Sequence, residues 1–111
     1  MVLSDNTKRI AELNDRLRRF GSGGEIMMTQ GVKALPPTAI MKAVAAMRSF
    51  TDFSEDNNPY QERDFGKFDA DGHEFFFKID YYDLSLEGGS EEPWNPEKTR
   101  RVLTLMLVEE Y

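Results

Sequence analysis

Near its C-terminus the chain alternates Val102, Thr104, Met106 and Val108 with Leu103, Leu105 and Leu107. Successive side chains of a strand point to opposite faces, so this segment forms a strand that is apolar on both. Such a strand belongs inside a sheet with both faces covered. Two arrangements satisfy it: helices on opposite faces, or one face closed by a second subunit. A second constraint is local. Asp71-Gly72 lies between strand-like runs and is a strong hairpin signal. Folding there pairs Phe68 with Phe75 and Gly66 with Phe77. One hairpin face then holds Phe68, Phe75, Phe77, Ile79 and Tyr81. The other mixes Lys67, Asp69, Glu74, Lys78 and Asp80 with Phe65, Phe76 and Tyr82. Those three aromatics need either a covering helix or a binding partner.

Two helices complete the expected fold. Ser4 or Asp5 caps the first, in which Ile10, Leu13, Leu17 and Phe20 recur at helical spacing opposite Lys8, Arg9, Glu12, Asp15, Arg16 and Arg19. That pattern is an amphipathic helix with one buried stripe. Gly21 ends it, and Gly23-Gly24 extends the turn into a short strand over residues 25–29. The order helix, glycines, strand is the reverse of a phosphate-cradling loop, so the glycines are turn residues. Pro36-Pro37 opens a second helix with Ile40, Val44, Met47 and Phe50 as its stripe, widened by Met41, Ala43, Ala45 and Ala46. Residues 51–62 and 87–96 are polar loops. The expected class is α+β: a small antiparallel sheet, containing the hairpin and a central C-terminal strand, packed with two helices. With 111 residues the chain is the size of a single domain, residues 1–111.

Charge and cysteine content narrow the function. The net charge is −6, unevenly spread: residues 1–50 carry a net +4 and residues 51–95 a net −10. An acidic body disfavours direct binding to nucleic acid, whose phosphates call for Lys and Arg. It favours a protein partner with a basic surface, or serves only as a solubility device. Helix 1 carries Lys8, Arg9, Arg16, Arg18 and Arg19, but Glu12 and Asp15 interrupt them and no helix-turn-helix pair is evident. There is no cysteine, which removes disulfides, thiolate metal sites and a cysteine nucleophile. No apolar run approaches the about 20 residues that span a bilayer, and no secretory signal opens the chain. A cytoplasmic protein without membrane contact is expected.

No catalytic constellation stands out, and no cofactor or metal is expected. His73 is a lone histidine beside the hairpin turn. Asp69 and His73 point to opposite faces in this register, which argues against a metal site there. Asp52, Ser54 and Asp56 have the alternate spacing of calcium ligands, but Asn57 and Arg63 stand where a calcium loop needs Gly and Glu. Asp80 and Tyr82 share one strand face and could do acid–base chemistry. They also read as an ordinary strand end at the core boundary. Trp94 follows Glu91-Glu92-Pro93 in an acidic loop. It either plugs the core edge or anchors a partner.

Several motifs together resemble a known family. They are Arg9-Ile10-Ala11-Glu12-Leu13-Asn14-Asp15, Met28-Thr29-Gln30-Gly31-Val32 with Ala34-Leu35-Pro36, Asp64-Phe65-Gly66, and Asp71-Gly72-His73. Phe76-Phe77-Lys78-Ile79-Asp80-Tyr81-Tyr82-Asp83, Arg101-Val102-Leu103-Thr104 and Glu109-Glu110-Tyr111 complete the set. The chain is similar in these to the domain-of-unknown-function family numbered 3768. The resemblance implies a short bacterial cytoplasmic protein, often plasmid-borne, and transfers no catalytic residue. The leading expectation is a non-enzymatic protein-binding module that offers Trp94, Phe76, Tyr82, Asp80, Glu91 and Glu92 to a basic partner. If carried on a mobile element, its concrete form is an inhibitor of host defence machinery, of anti-CRISPR or anti-restriction type. The alternatives are a small enzyme or ligand-binding protein using Asp80, Tyr82 and His73, and a homodimer closed through the second sheet face.

Overall fold

The computed structural model describes residues 4–54 and 58–111. Ser4 is the cap of the first helix, α1 (Asp5–Phe20): its backbone is extended and its hydroxyl accepts from the Thr7 N–H at 3.1 Å. Gly21, at φ 70°, ends the helix and returns its N–H to the Leu17 carbonyl. Ile10, Leu13 and Leu17 are buried as the periodicity predicts, but Phe20 is 71% exposed, and Asn14 and Arg18 are buried in its stead. The stripe is turned because Arg18 reaches the end of the helix α3 (Pro37–Arg48), while Asn14 reaches Tyr81 and Arg101. Between these helices run β1 (Glu25–Met28) and a one-turn helix, α2 (Gln30–Lys33), that sequence periodicity is too short to reveal. Pro36 caps α3 with Pro37 in its first turn. Its buried line is Ala39, Ala43 and Met47 rather than the larger neighbours, with Met41 and Ala45 exposed.

The hairpin forms as expected. Strands β2 (Phe65–Ala70) and β3 (His73–Tyr82) pair Phe68 with Phe75 and Gly66 with Phe77. Asp71 and Gly72 both have positive φ, 51° and 81°. That is the turn whose twist matches paired strands, and glycine makes its second position inexpensive. Strand β4 (Arg100–Leu107) is interior, between β3 and β1, in the order β1-β4-β3-β2. The sheet is mixed rather than antiparallel, since β1 runs parallel to β4. Turn chemistry governs the β2–β3 pair. The β1–β4 pair joins residues far apart in sequence, and nothing local sets its direction.

The helices do not divide between the two faces. The core unites Leu17, Val32, Ala43, Met47 and Phe50 with Phe75, Phe77, Ile79, Leu103 and Leu105, and with Ile26 and Met28 at its margin. Every sheet residue in that set lies on one face. The other face presents Met27, Val102, Thr104, Met106, Phe76, Lys78, Asp80 and Tyr82. Across it the short 3-10 turn Val108–Glu110 folds back, setting the Tyr111 ring 5.1 Å from Phe76 and 5.9 Å from Phe65. Among the described residues no helix is long and apolar enough to cross a membrane.

Candidate functional site

On the open face, residues of opposite charge stand in pairs. Lys78 meets Asp80 at 2.9 Å, Arg100 meets Glu25 at 3.3 Å, and Lys67 meets Glu74 at 3.3 Å. The hydrogen bond that Lys78 donates to the Asp80 carboxylate raises the Lys78 pKa above its ordinary value. Asp80 and Tyr82 do share this face. His73 does not join them: it stands seven residues up the strand on the opposite face, its ring 6.3 Å from that of Phe75. The three residues of the expected enzyme site therefore do not converge. Phe76 also lies apart from Tyr82, six residues or roughly 20 Å along β3, and is packed between Phe65 and Tyr111.

The acidic segment after β3 is a built loop. Tyr82 bridges to Gly89, the Asp83 N–H donates to the Gly88 carbonyl, and the Asp83 carboxylate accepts from Ser85 and Glu87. These donors, Ser85 first, hold the Asp83 pKa below its usual range. Glu92 pairs with Lys98 at 2.9 Å, which lowers the Glu92 pKa and raises that of Lys98. Glu91 is exposed, and Trp94 is half-buried in this loop. Its neighbour Pro93 accepts a hydrogen bond from Arg101 Nη2. Of the calcium spacing, Asp56 lies outside the described residues.

Two polar clusters escaped the sequence reading. In the first, Arg101 is 1% exposed and its Nε donates to Asn14 Oδ1 at 2.7 Å. Asn14 Nδ2 donates to the Glu62 carbonyl and to the Tyr81 hydroxyl, and that hydroxyl donates to the Glu62 carboxylate at 2.8 Å. The Arg101 guanidinium lies over the Tyr81 ring at 5.1 Å. Burial drives the Tyr81 pKa far above its ordinary value, so this hydroxyl is a fixed donor, unsuited to proton transfer near neutrality. Burial also lowers the Arg101 pKa. The available signal was position: Asn14 falls four residues after Ile10, on the apolar stripe of α1.

The second cluster surrounds a cavity of about 460 Å³ where the C-terminal ends of α1 and α3 meet residues 49–53. Arg18 forms its floor. It is 3% exposed, donates from Nη1 to the Met47 and Arg48 carbonyls at 3.0 Å each, and from Nη2 to Asp15 at 3.2 Å. Asp15 also holds Arg63 at 2.6 Å. Cations stabilise a helix C-terminus, which accounts for Arg18 at the end of α3.

A family model described as Protein of unknown function (DUF3768) matches residues 28–110, about three quarters of the chain, and leaves α1 outside the matched span. No curated protein and no solved structure matches the chain.

Proposed function

The chain belongs to the DUF3768 family of proteins of unknown function, and from that premise we propose that it is a non-enzymatic protein-binding module whose open sheet face receives a partner with a basic rim. The observation that carries this reading is one-sided packing. Among the described residues the side chains of α1, α2 and α3 that join the core pack on one face, while on the other Met106 is buried but Val102, Thr104, Tyr82 and Phe76 remain half-buried and Met27 is 53% exposed. The charge of the rim selects the partner. The face itself is close to balanced by its ion pairs, but residues 83–97 at one end hold five carboxylates and no cation. A basic protein surface, such as a nucleic-acid groove on a host defence protein, has the complementary chemistry. Tyr82, Asp80, Glu91, Glu92 and Trp94 belong to that end, and Phe76 is a separate contact nearer the hairpin turn.

The test is an affinity pull-down from host lysate with wild type and two variants, followed by titration of the recovered partner. Val102→Lys puts an ammonium between Glu25 and Asp80, its cross-strand neighbours, so the fold tolerates it while the face gains a charge. Glu91→Lys with Glu92→Lys reverses the rim. The expected result is a stoichiometric basic partner, weakened by both variants and by salt, with unchanged circular dichroism. A partner that binds both variants as tightly as wild type removes the proposal.

A further inference from the structure

The protein carries a net charge of −6, yet the cavity between α1 and α3 is basic. Arg18, Arg19, Arg48 and Arg63 line it, and among the described residues Asp15 is the one carboxylate that does so. Asp15 and the carbonyl end of α3 offset part of this charge at Arg18, and the exposed Arg19 and Arg48 leave the rim positive, a charge that an anionic ligand would balance. The cavity is also organised. The Arg18 guanidinium is held by two carbonyls and by Asp15, and it lies over the rings of Phe53 and Phe77 at 5.4 and 5.9 Å. Arg18 Nε is buried without a hydrogen-bond partner among the described residues. Arg63 is oriented twice, by Asp15 at 2.6 Å and by the Phe53 ring at 5.8 Å. Arg19 and Arg48 are exposed and complete the rim.

We propose that this cavity binds the diphosphate group of a small molecule. Guanidinium forks match phosphate oxygens in bidentate geometry. A diphosphate gathers several negative charges and acceptor oxygens in one compact group, enough to engage Arg19 and Arg48 together, whereas a lone carboxylate brings one charge. The volume of about 460 Å³ lies within the range of small-ligand sites. A single concavity suits a compact anion, and a polymer would call for a basic stripe.

Calorimetric titration at low ionic strength tests this, with inorganic pyrophosphate and ADP as probes, against wild type, Arg19→Ala and Arg48→Ala. Both side chains are exposed, and the Arg48 group that holds Arg18 is its main-chain carbonyl, so the variants keep the fold, as circular dichroism would verify. The expected result is saturable one-to-one binding of at least one probe, weakened about tenfold by each substitution. Equal affinity for the two probes assigns recognition to the phosphates alone, and tighter ADP binding adds contacts from the nucleoside. The proposal is overturned by the absence of saturable binding to either probe, by unchanged affinity in both variants, or by a response to a long polyanion such as heparin alone.

Discussion

Tyr81, Asn14 and Arg101 are coupled, and their variants should not cost the same. The Tyr81 hydroxyl makes one bond to Asn14 and one to the Glu62 carboxylate, and Asn14 keeps the Glu62 carbonyl when it goes. Tyr81→Phe should therefore lower the unfolding free energy in urea by about 1–3 kcal/mol. Asn14→Leu is worse. Arg101 already has Nη1 without a hydrogen-bond partner and no ion pair within 4 Å among the described residues. Losing the Asn14 acceptor strands Nε as well, and because that donor is charged the cost should exceed the roughly 1–3 kcal/mol of a neutral group. Two carboxylates should act on stability with opposite signs. Glu110 accepts from Thr29, from the Leu107 N–H and from the Gly31 N–H, which hold its pKa below the ordinary 4.5. Its contribution is complete above 4.5 and is lost as pH falls through the folded value. Glu110→Gln should thus melt lower than wild type at neutral pH, with the gap closing in acid. Asp64 is raised by burial, so its charge opposes folding above its folded pKa. Asp64→Asn should melt higher at neutral pH, and its advantage should vanish in acid. A melting series from pH 7 downward checks both.

At the level of elements, what the sequence disclosed is what local chemistry controls. Asp71-Gly72 set the β2–β3 register, and the double alternation of 102–108 put β4 inside the sheet. Ser4, Gly21 and Pro37 bounded the helices. The parallel β1–β4 pair, the gathering of the helices on one face and the burial of Arg18 were hidden, because each depends on a partner distant in sequence. Arg18 looks like one more cation of a solvated face until the carbonyls of Met47 and Arg48 are placed against it. Gly66 shows the same dependence. In sequence it is a glycine within a strand, a sign of close approach. In the fold a Cβ there would lie 2.5 Å from Phe77 Cε1 and 2.7 Å from Phe50 Cζ. Those two rings meet edge to face at 5.3 Å inside the core, so neither can swing aside. Gly66→Ala should cost about 1–3 kcal/mol by overpacking. A midpoint shift in urea without a change in slope would attribute the loss to the native state.

For the whole molecule, charge and the open face together make a prediction about salt. The same face could be closed by a second copy or by a basic protein, and shape alone does not choose between them. Electrostatics does. Two copies bring together chains that are each −6, so self-association works against repulsion and strengthens as salt screens it. A basic partner is attracted to residues 83–97, so that complex weakens over the same range. The Debye length shortens from about 30 Å at 0.01 M to about 8 Å at physiological ionic strength, and the two responses should diverge within that interval. In light scattering at neutral pH the protein alone should have the 12.8 kDa mass of one chain at low salt. Any rise toward twice that mass should come at high salt and be suppressed by Val102→Lys. A dimer already complete at low salt, and indifferent to Val102→Lys, would mean that the open face is not where copies meet. A dimer at low salt that Val102→Lys dissolves would make a second copy, and not a basic protein, the natural cover of this sheet.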